Sequence, residues 1–182
     1  MNKYCAFLRG VNVNGRKMLM HDVCGVFGEA GMSEVSSVLA TGNIIFKSGK
    51  QQSELKTLLE NALTAHFSNP VYLFVKSASE ISDMLENCPY MPYVDLHTYL
   101  FICEIGFENE FLAEFKKINP AEREEASVVG GYFYWRVPKG STLDAGFSKA
   151  LGRKAWQNLF TSRNINTIEK VRAKLNIKEP VI

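Results

Sequence analysis

Arg9-Gly10-Val11-Asn12-Val13-Asn14-Gly15-Arg16-Lys17 concentrates glycine, asparagine and cations in one stretch, directly after the apolar run Tyr4-Cys5-Ala6-Phe7-Leu8 and before a predicted helix. Backbone N–H groups freed by Gly10, Asn12, Asn14 and Gly15, beside the cations Arg9, Arg16 and Lys17, are what an anion needs to leave water without losing its hydrogen bonds. A phosphate or a carboxylate suits such a loop, and a helix starting after it adds a partial positive charge. The spacing matches neither a P-loop nor a GxGxxG fingerprint. Alternatively, Asn12 and Asn14 satisfy their own backbone and the cations face water.

A second polar cluster, Thr161-Ser162-Arg163-Asn164-Ile165-Asn166-Thr167, lies at the predicted start of a helix over 161–175, where Thr161 or Ser162 is a natural N-cap. Capping does not account for Arg163, Asn164 and Asn166 crowded into one turn. Its convergence with the Arg9 loop is the preferred expectation, with Thr41, Gly42, Asn43 and Thr167 completing the candidate ligand-binding set; the alternative is a helix cap hydrogen-bonded to a neighbouring loop. No set of catalytic residues emerges. His21, His66 and His97 stand apart, with no HxxxH or HxH pair for a metal, no GxSxG and no Cys-His motif. Cys5, Cys24, Cys88 and Cys103 form no CxxC pair and are expected to be reduced, as small hydrophobes within the core. No cofactor and no metal are assigned, and an enzyme would need residues that converge only in three dimensions.

Periodicity supplies the elements that must position these residues. A strand is predicted over 3–9, a helix over Met20–Ala30 with Val23, Val26 and Phe27 on one face, and a hairpin of Val35–Leu39 with Ile44–Lys47 turned at Ala40-Thr41-Gly42-Asn43. Leu55, Leu58, Leu59, Ala62, Leu63 and Phe67 mark a second helix, and Val71–Lys76 a fourth strand, giving βαββαβ. After a short helix over 79–86, Pro89-Tyr90-Met91-Pro92 reads as a connector. The order then restarts: a strand at His97–Glu104, a helix at Phe111–Ile118 and a hairpin turned at Gly130-Gly131. Short helices at 144–151 and 154–160 precede the 161–175 helix. The fold class expected is α+β, two ferredoxin-like halves with antiparallel sheets and helices packed on one face. The first half spans 1–88; the second spans 89–182 and lacks an obvious last strand.

The 182 residues suffice for one large domain or two small ones, and 46% apolar with 22% charged residues is the composition of an ordinary globular protein. Apolar runs such as Tyr99–Cys103 fall far short of the roughly 18–20 residues of a membrane span, and no signal pattern opens the chain, so a cytoplasmic location and no membrane partner are expected. Net charge is only +2, but eight cations against two acids between Lys139 and Lys174, and seven glutamates against three cations between Glu104 and Glu125, divide it unevenly. That asymmetry fits an anionic ligand near the C-terminal segment, or simply a solvated helix face. Tyr132, Tyr134 and Arg136 share one strand face and Phe133 with Trp135 the other. An exposed face would stack single-stranded nucleic acid, which makes such binding the alternative function; a buried one would be interface core, and no RNP1-like octapeptide is present. Glu122, Glu124 and Glu125 read as a solvated acidic turn.

Phe7-Leu8-Arg9-Gly10-Val11-Asn12-Val13, Thr41-Gly42-Asn43-Ile44-Ile45-Phe46 and the 161–167 segment together resemble the bacterial family known as domain of unknown function 1697. Its first segment is typically LRGINVGG, so Asn14-Gly15 departs from the Gly-Gly form while keeping the turn accessible, because Asn tolerates left-handed backbone angles. The resemblance implies a paired ferredoxin-like fold and carries no activity. The function expected is binding of a phosphorylated or otherwise anionic small molecule through the Arg9–Lys17 loop, helped by Arg163 and its neighbours. Self-association is compatible with this pattern.

Overall fold

The computed structural model describes residues 1–11, 18–120 and 122–176. The chain forms two compact units, one of residues 1–82 together with the chain from Glu169, the other of residues 83–168.

The first unit contains β1 (Asn2–Arg9), α1 (Met20–Glu29), β2 (Ser33–Ser37), β3 (Asn43–Ser48), α2 (Gln52–Phe67), β4 (Tyr72–Ser77) and the start of α3 (Ala78–Glu86). Its antiparallel sheet has the order β2-β3-β1-β4. A strand with neighbours on both sides and cover on both faces must be apolar throughout, and Tyr4 to Leu8 are all buried. Tyr4, Ala6 and Leu8 share a face with Ile44, Phe46, Leu73 and Val75, and this face takes Val23, Val26 and Phe27 of α1 and Leu55, Leu59 and Leu63 of α2. Cys5, Phe7, Ile45 and Phe74 alternate onto the opposite face and are buried too. No disulfide joins the four cysteines.

Two polar devices organise the rest of this unit. On α2, Gln52 Nε2 donates to the Val75 carbonyl (2.9 Å), Glu60 Oε1 accepts from the Leu73 N–H (3.0 Å), Thr64 Oγ1 accepts from the Val71 N–H (3.1 Å), and the Lys56 ammonium stands 5.2 Å over the Phe74 ring. Positions four apart on one helix therefore close the outer edge of β4. At the start of α3, the Ser77 N–H donates to Glu80 Oε2 (2.8 Å) and the Glu80 N–H to Ser77 Oγ (3.3 Å), a reciprocal cap. Burial alone would raise the Glu80 carboxyl; the Ser77 N–H and the Lys76 ammonium at 2.9 Å outweigh it and hold its pKa below the ordinary value. A lowered native pKa stabilises the fold in full above the unfolded-state value and loses that contribution as pH falls through the native one. The urea midpoint is therefore expected to fall on acidification below about pH 4. In Glu80→Gln, which keeps a side-chain oxygen for the Ser77 N–H but removes the titrating charge, that part of the fall should vanish.

The second unit contains the end of α3, β5 (Leu96–Cys103), α4 (Phe107–Lys117), β6 (Glu125–Val129), β7 (Tyr132–Pro138), α5 (Gly146–Leu151), a single 3-10 turn at Lys154–Trp156, β8 (Phe160–Asn164) and the start of α6 (Ile165–Lys174). Its sheet order, β6-β7-β5-β8, repeats the first strand for strand. The expected incomplete second half is thus corrected: residues 160–164 form the missing strand, paired with β5 from Cys103↔Phe160 to Tyr99↔Asn164. The helix starts later because its cap is Asn164, whose Oδ1 accepts the Asn166 N–H at 3.0 Å; Thr161 and Ser162 are strand residues. The helices expected at 144–151 and 154–160 shorten to α5 and the 3-10 turn. Phe101, Phe111, Phe133, Phe147 and Phe160 pack together with Trp135 on the helix-bearing face.

Candidate functional site

β1 delivers Arg9 to the rim of the first sheet, and Gly10 follows with φ 68°, a left-handed angle suited to glycine. Strand alternation puts Arg9 with Phe7 on the face opposite α1 and α2, directly across from Tyr72. The guanidinium is half-buried, and burial lowers its pKa from the ordinary value.

Against this strand end packs the 38–43 turn. The Leu8 N–H donates to the Gly42 carbonyl at 2.7 Å. Gly42 has φ 74°, and a Cβ there would lie 2.6 Å from Val11 Cγ2 and 3.0 Å from Leu8 Cβ. No other residue fits without displacing the Leu8–Val11 segment. Asn43, fully buried, donates through Nδ2 to the Val38 carbonyl and to Thr41 Oγ1, both at 2.9 Å. The structure thus brings Arg9, Gly10 and Val11 together with Thr41, Gly42 and Asn43, but the Asn43 amide donors are spent inside the turn. Asn12, Asn14, Gly15, Arg16 and Lys17 lie outside the described residues. At α1 the N-cap, Leu19, makes no side-chain cap bond, and Asp22 in the first turn opposes the helix-dipole attraction expected for an anion.

The Thr161–Thr167 segment belongs to the second unit. Arg163 Nη1 donates to Thr161 Oγ1 (2.7 Å) and to the Ser162 carbonyl (2.8 Å), so the guanidinium folds back over its own strand. Asn164 caps α6 through the Asn166 N–H, and Thr167 lies half-buried in the first turn of that helix.

Two features escaped the sequence expectations. Glu124 is buried, not part of a solvated turn: its Oε1 accepts the Trp135 indole N–H at 3.0 Å, and the signal was the need of a buried indole for an acceptor. Arg136 Nη2 donates to Glu125 Oε2 at 2.7 Å, and its guanidinium carbon lies 4.6 Å over the Tyr90 ring. The strand aromatics are core. Phe133, Tyr134 and Trp135 are buried, and the Tyr134 hydroxyl donates to the Met84 carbonyl at 2.8 Å while burial pushes its pKa up. They offer no open face for base stacking.

Among the described residues no group of three or more His, Cys, Asp or Glu side chains could hold a metal ion, and no helix is long and apolar enough to cross a membrane. A family model described as "Protein of unknown function (DUF1697)" matches residues 1–134. The chain belongs to the DUF1697 family. That match takes in the Arg9 and Thr41–Asn43 segments, while the Arg163 segment lies beyond it. Among solved structures, "conserved bacterial protein SP0830 from Streptococcus pneumoniae" is similar, with a TM-score of 0.78 and 23% identity over 97% of this chain and 99% of that one. At that identity the likeness shows the fold alone. No curated protein matches the sequence.

Proposed function

We propose that this DUF1697 protein binds a small anionic molecule, a phosphate ester or a carboxylate, at the C-terminal end of β1. The observation that carries the proposal is the half-buried Arg9 guanidinium, its charged form disfavoured by burial, at the end of β1, where Gly10 follows at φ 68° and the Gly42 turn packs against the neighbouring Leu8 and Val11. A partly desolvated guanidinium attracts an anion more strongly than one in open water and can present two parallel N–H donors to it. Arg16, Lys17 and the amides of the loop between them and Arg9 add donors by their place in the sequence.

A thermal-shift series against inorganic phosphate, nucleotides, sugar phosphates and dicarboxylates tests this reading. A ligand at about a hundred times its dissociation constant should add about 2.7 kcal/mol of stability, a shift of several degrees. Arg9→Ala is expected to abolish the shift and Arg9→Lys to weaken it, since an ammonium lacks the two-donor geometry. A shift that survives Arg9→Ala unchanged would remove the proposed site.

A further inference from the structure

Every open sheet has two edges, and the backbone groups on them pair with another chain unless something stops it. In the first unit both edges are closed. The α2 side chains Gln52, Glu60 and Thr64 occupy the groups of β4. β2 is bulged between Ser33 and Ser36, and its Ser37 carbonyl accepts from Lys174 Nζ at 2.8 Å. In the second unit Arg163 covers the Ser162 carbonyl of β8. β6 alone has no such device among the described residues.

The geometry of β6 says which groups are left over. Its hairpin with β7 turns on Gly130 and Gly131, both at positive φ (60° and 80°), so Val129 and Tyr132 flank a two-residue turn. The flanking pair of such a turn exchanges both backbone hydrogen bonds, and exchange then recurs at every second residue. Val129, Ser127 and Glu125 therefore bond to β7, and the N–H and C=O groups of Ala126 and Val128 point outward. Those two side chains are half-buried at the margin of the aromatic core beside α4, while Ser127 on the opposite face donates to the Tyr90 hydroxyl at 3.2 Å, so what stays open is the outward row of backbone groups.

We propose that β6 pairs with β6 of a second copy of this chain, antiparallel about a two-fold axis through Ser127. In that register Ala126 lies opposite Val128 of the partner subunit, and Val128 opposite Ala126 of the partner subunit. All four outward groups of each strand are satisfied, which no shifted register achieves within Glu125–Val129. Charge agrees with it. Ala126 to Val129 are uncharged, and Glu125, already paired with Arg136 at 2.7 Å, falls opposite Val129 of the partner subunit and not another carboxylate. Two four-stranded sheets become one of eight strands, and the margins of the two aromatic cores join.

Ser127 meets Ser127 of the partner subunit as a pair without backbone hydrogen bonds, the type whose Cα atoms lie about 4.5 Å apart, within disulfide range. Ser127→Cys is therefore expected to form an intermolecular disulfide under mild oxidation, located by peptide mapping at residue 127, while the unaltered protein with its four native cysteines does not cross-link. Light scattering should give twice the protomer mass for the unaltered protein. Val128→Pro removes one outward donor and leaves the β7 ladder intact, because proline is accepted on a strand edge when its nitrogen faces outward; its mass should fall to one protomer with an unchanged circular dichroism spectrum. A monomer at every concentration, or a Ser127→Cys protein that forms no disulfide at 127, would overturn the proposal. So would a folded Val128→Pro protein that stays dimeric. If Val128→Pro does not fold, the Ser127→Cys result still decides.

Discussion

Phe101→Ala sharply lowers the urea midpoint of the second unit. Phe101 is 1% exposed, and its ring centroid lies 5.0–5.5 Å from those of Phe111, Phe133 and Phe160 and 6.1 Å from that of Phe147. Truncating a buried phenylalanine costs about 3–5 kcal/mol through lost burial and the cavity left behind. Set against a typical total of about 5–15 kcal/mol, that is from about a fifth of the stability to nearly all of it. Trp135 and Trp156, the only two tryptophans of the chain, both lie in this unit, so tryptophan fluorescence isolates its transition. Phe101→Leu, which keeps most of the volume, should lose less than half as much. Equal midpoints for the two variants would show that the cluster closes around the gap.

The second large effect is a truncation. A chain ending at Ile168 should lose the cooperative unfolding of the first unit, whereas one ending at Asn176 should keep it. The unit includes the chain from Glu169, where Val171 and Leu175 are buried, Lys3 Nζ donates to the Leu175 carbonyl at 2.6 Å and Lys174 Nζ to that of Ser37 at 2.8 Å. Burying one valine and one leucine contributes about 1.5–3 kcal/mol each. Limited proteolysis reads the outcome: cleavage within residues 1–82 should accelerate strongly in the shorter chain. Equal protection in both chains would mean that α6 contributes nothing to the first unit.

Where periodicity was strong, the fold was legible. Leu55, Leu59 and Leu63, the continuous run Tyr4–Leu8 and the Gly130-Gly131 turn each point to a single local structure, and each is observed. β8 was not legible, because Thr161-Ser162-Arg163-Asn164 carries capping chemistry and no apolar alternation; only its pairing with β5 makes it a strand. Polar residues deceived in both directions. Glu124 looked solvated among other glutamates, yet the indole of Trp135, distant along the chain until β7 pairs with β6, draws it inside. Asn43 looked available to a ligand, yet it closes its own turn. What composition revealed of the site was the coincidence of a cation with glycines at a strand end; that Gly42 must be glycine because it meets Leu8 and Val11 is a contact between distant segments, invisible in either alone.

Gln52, Lys56, Glu60 and Thr64 carry a practical consequence. Viewed on α2 alone they are interchangeable surface positions, yet Gln52, Glu60 and Thr64 each hold a backbone group of β4, and replacing one with an apolar helix former is expected to cost about 1 kcal/mol. The same three side chains occupy backbone groups of Val71, Leu73 and Val75 that an unprotected edge strand would offer to another chain in concentrated solution. A variant made by reworking the α2 surface for helix propensity alone is therefore expected to lose solubility unless Gln52, Glu60 and Thr64 are kept.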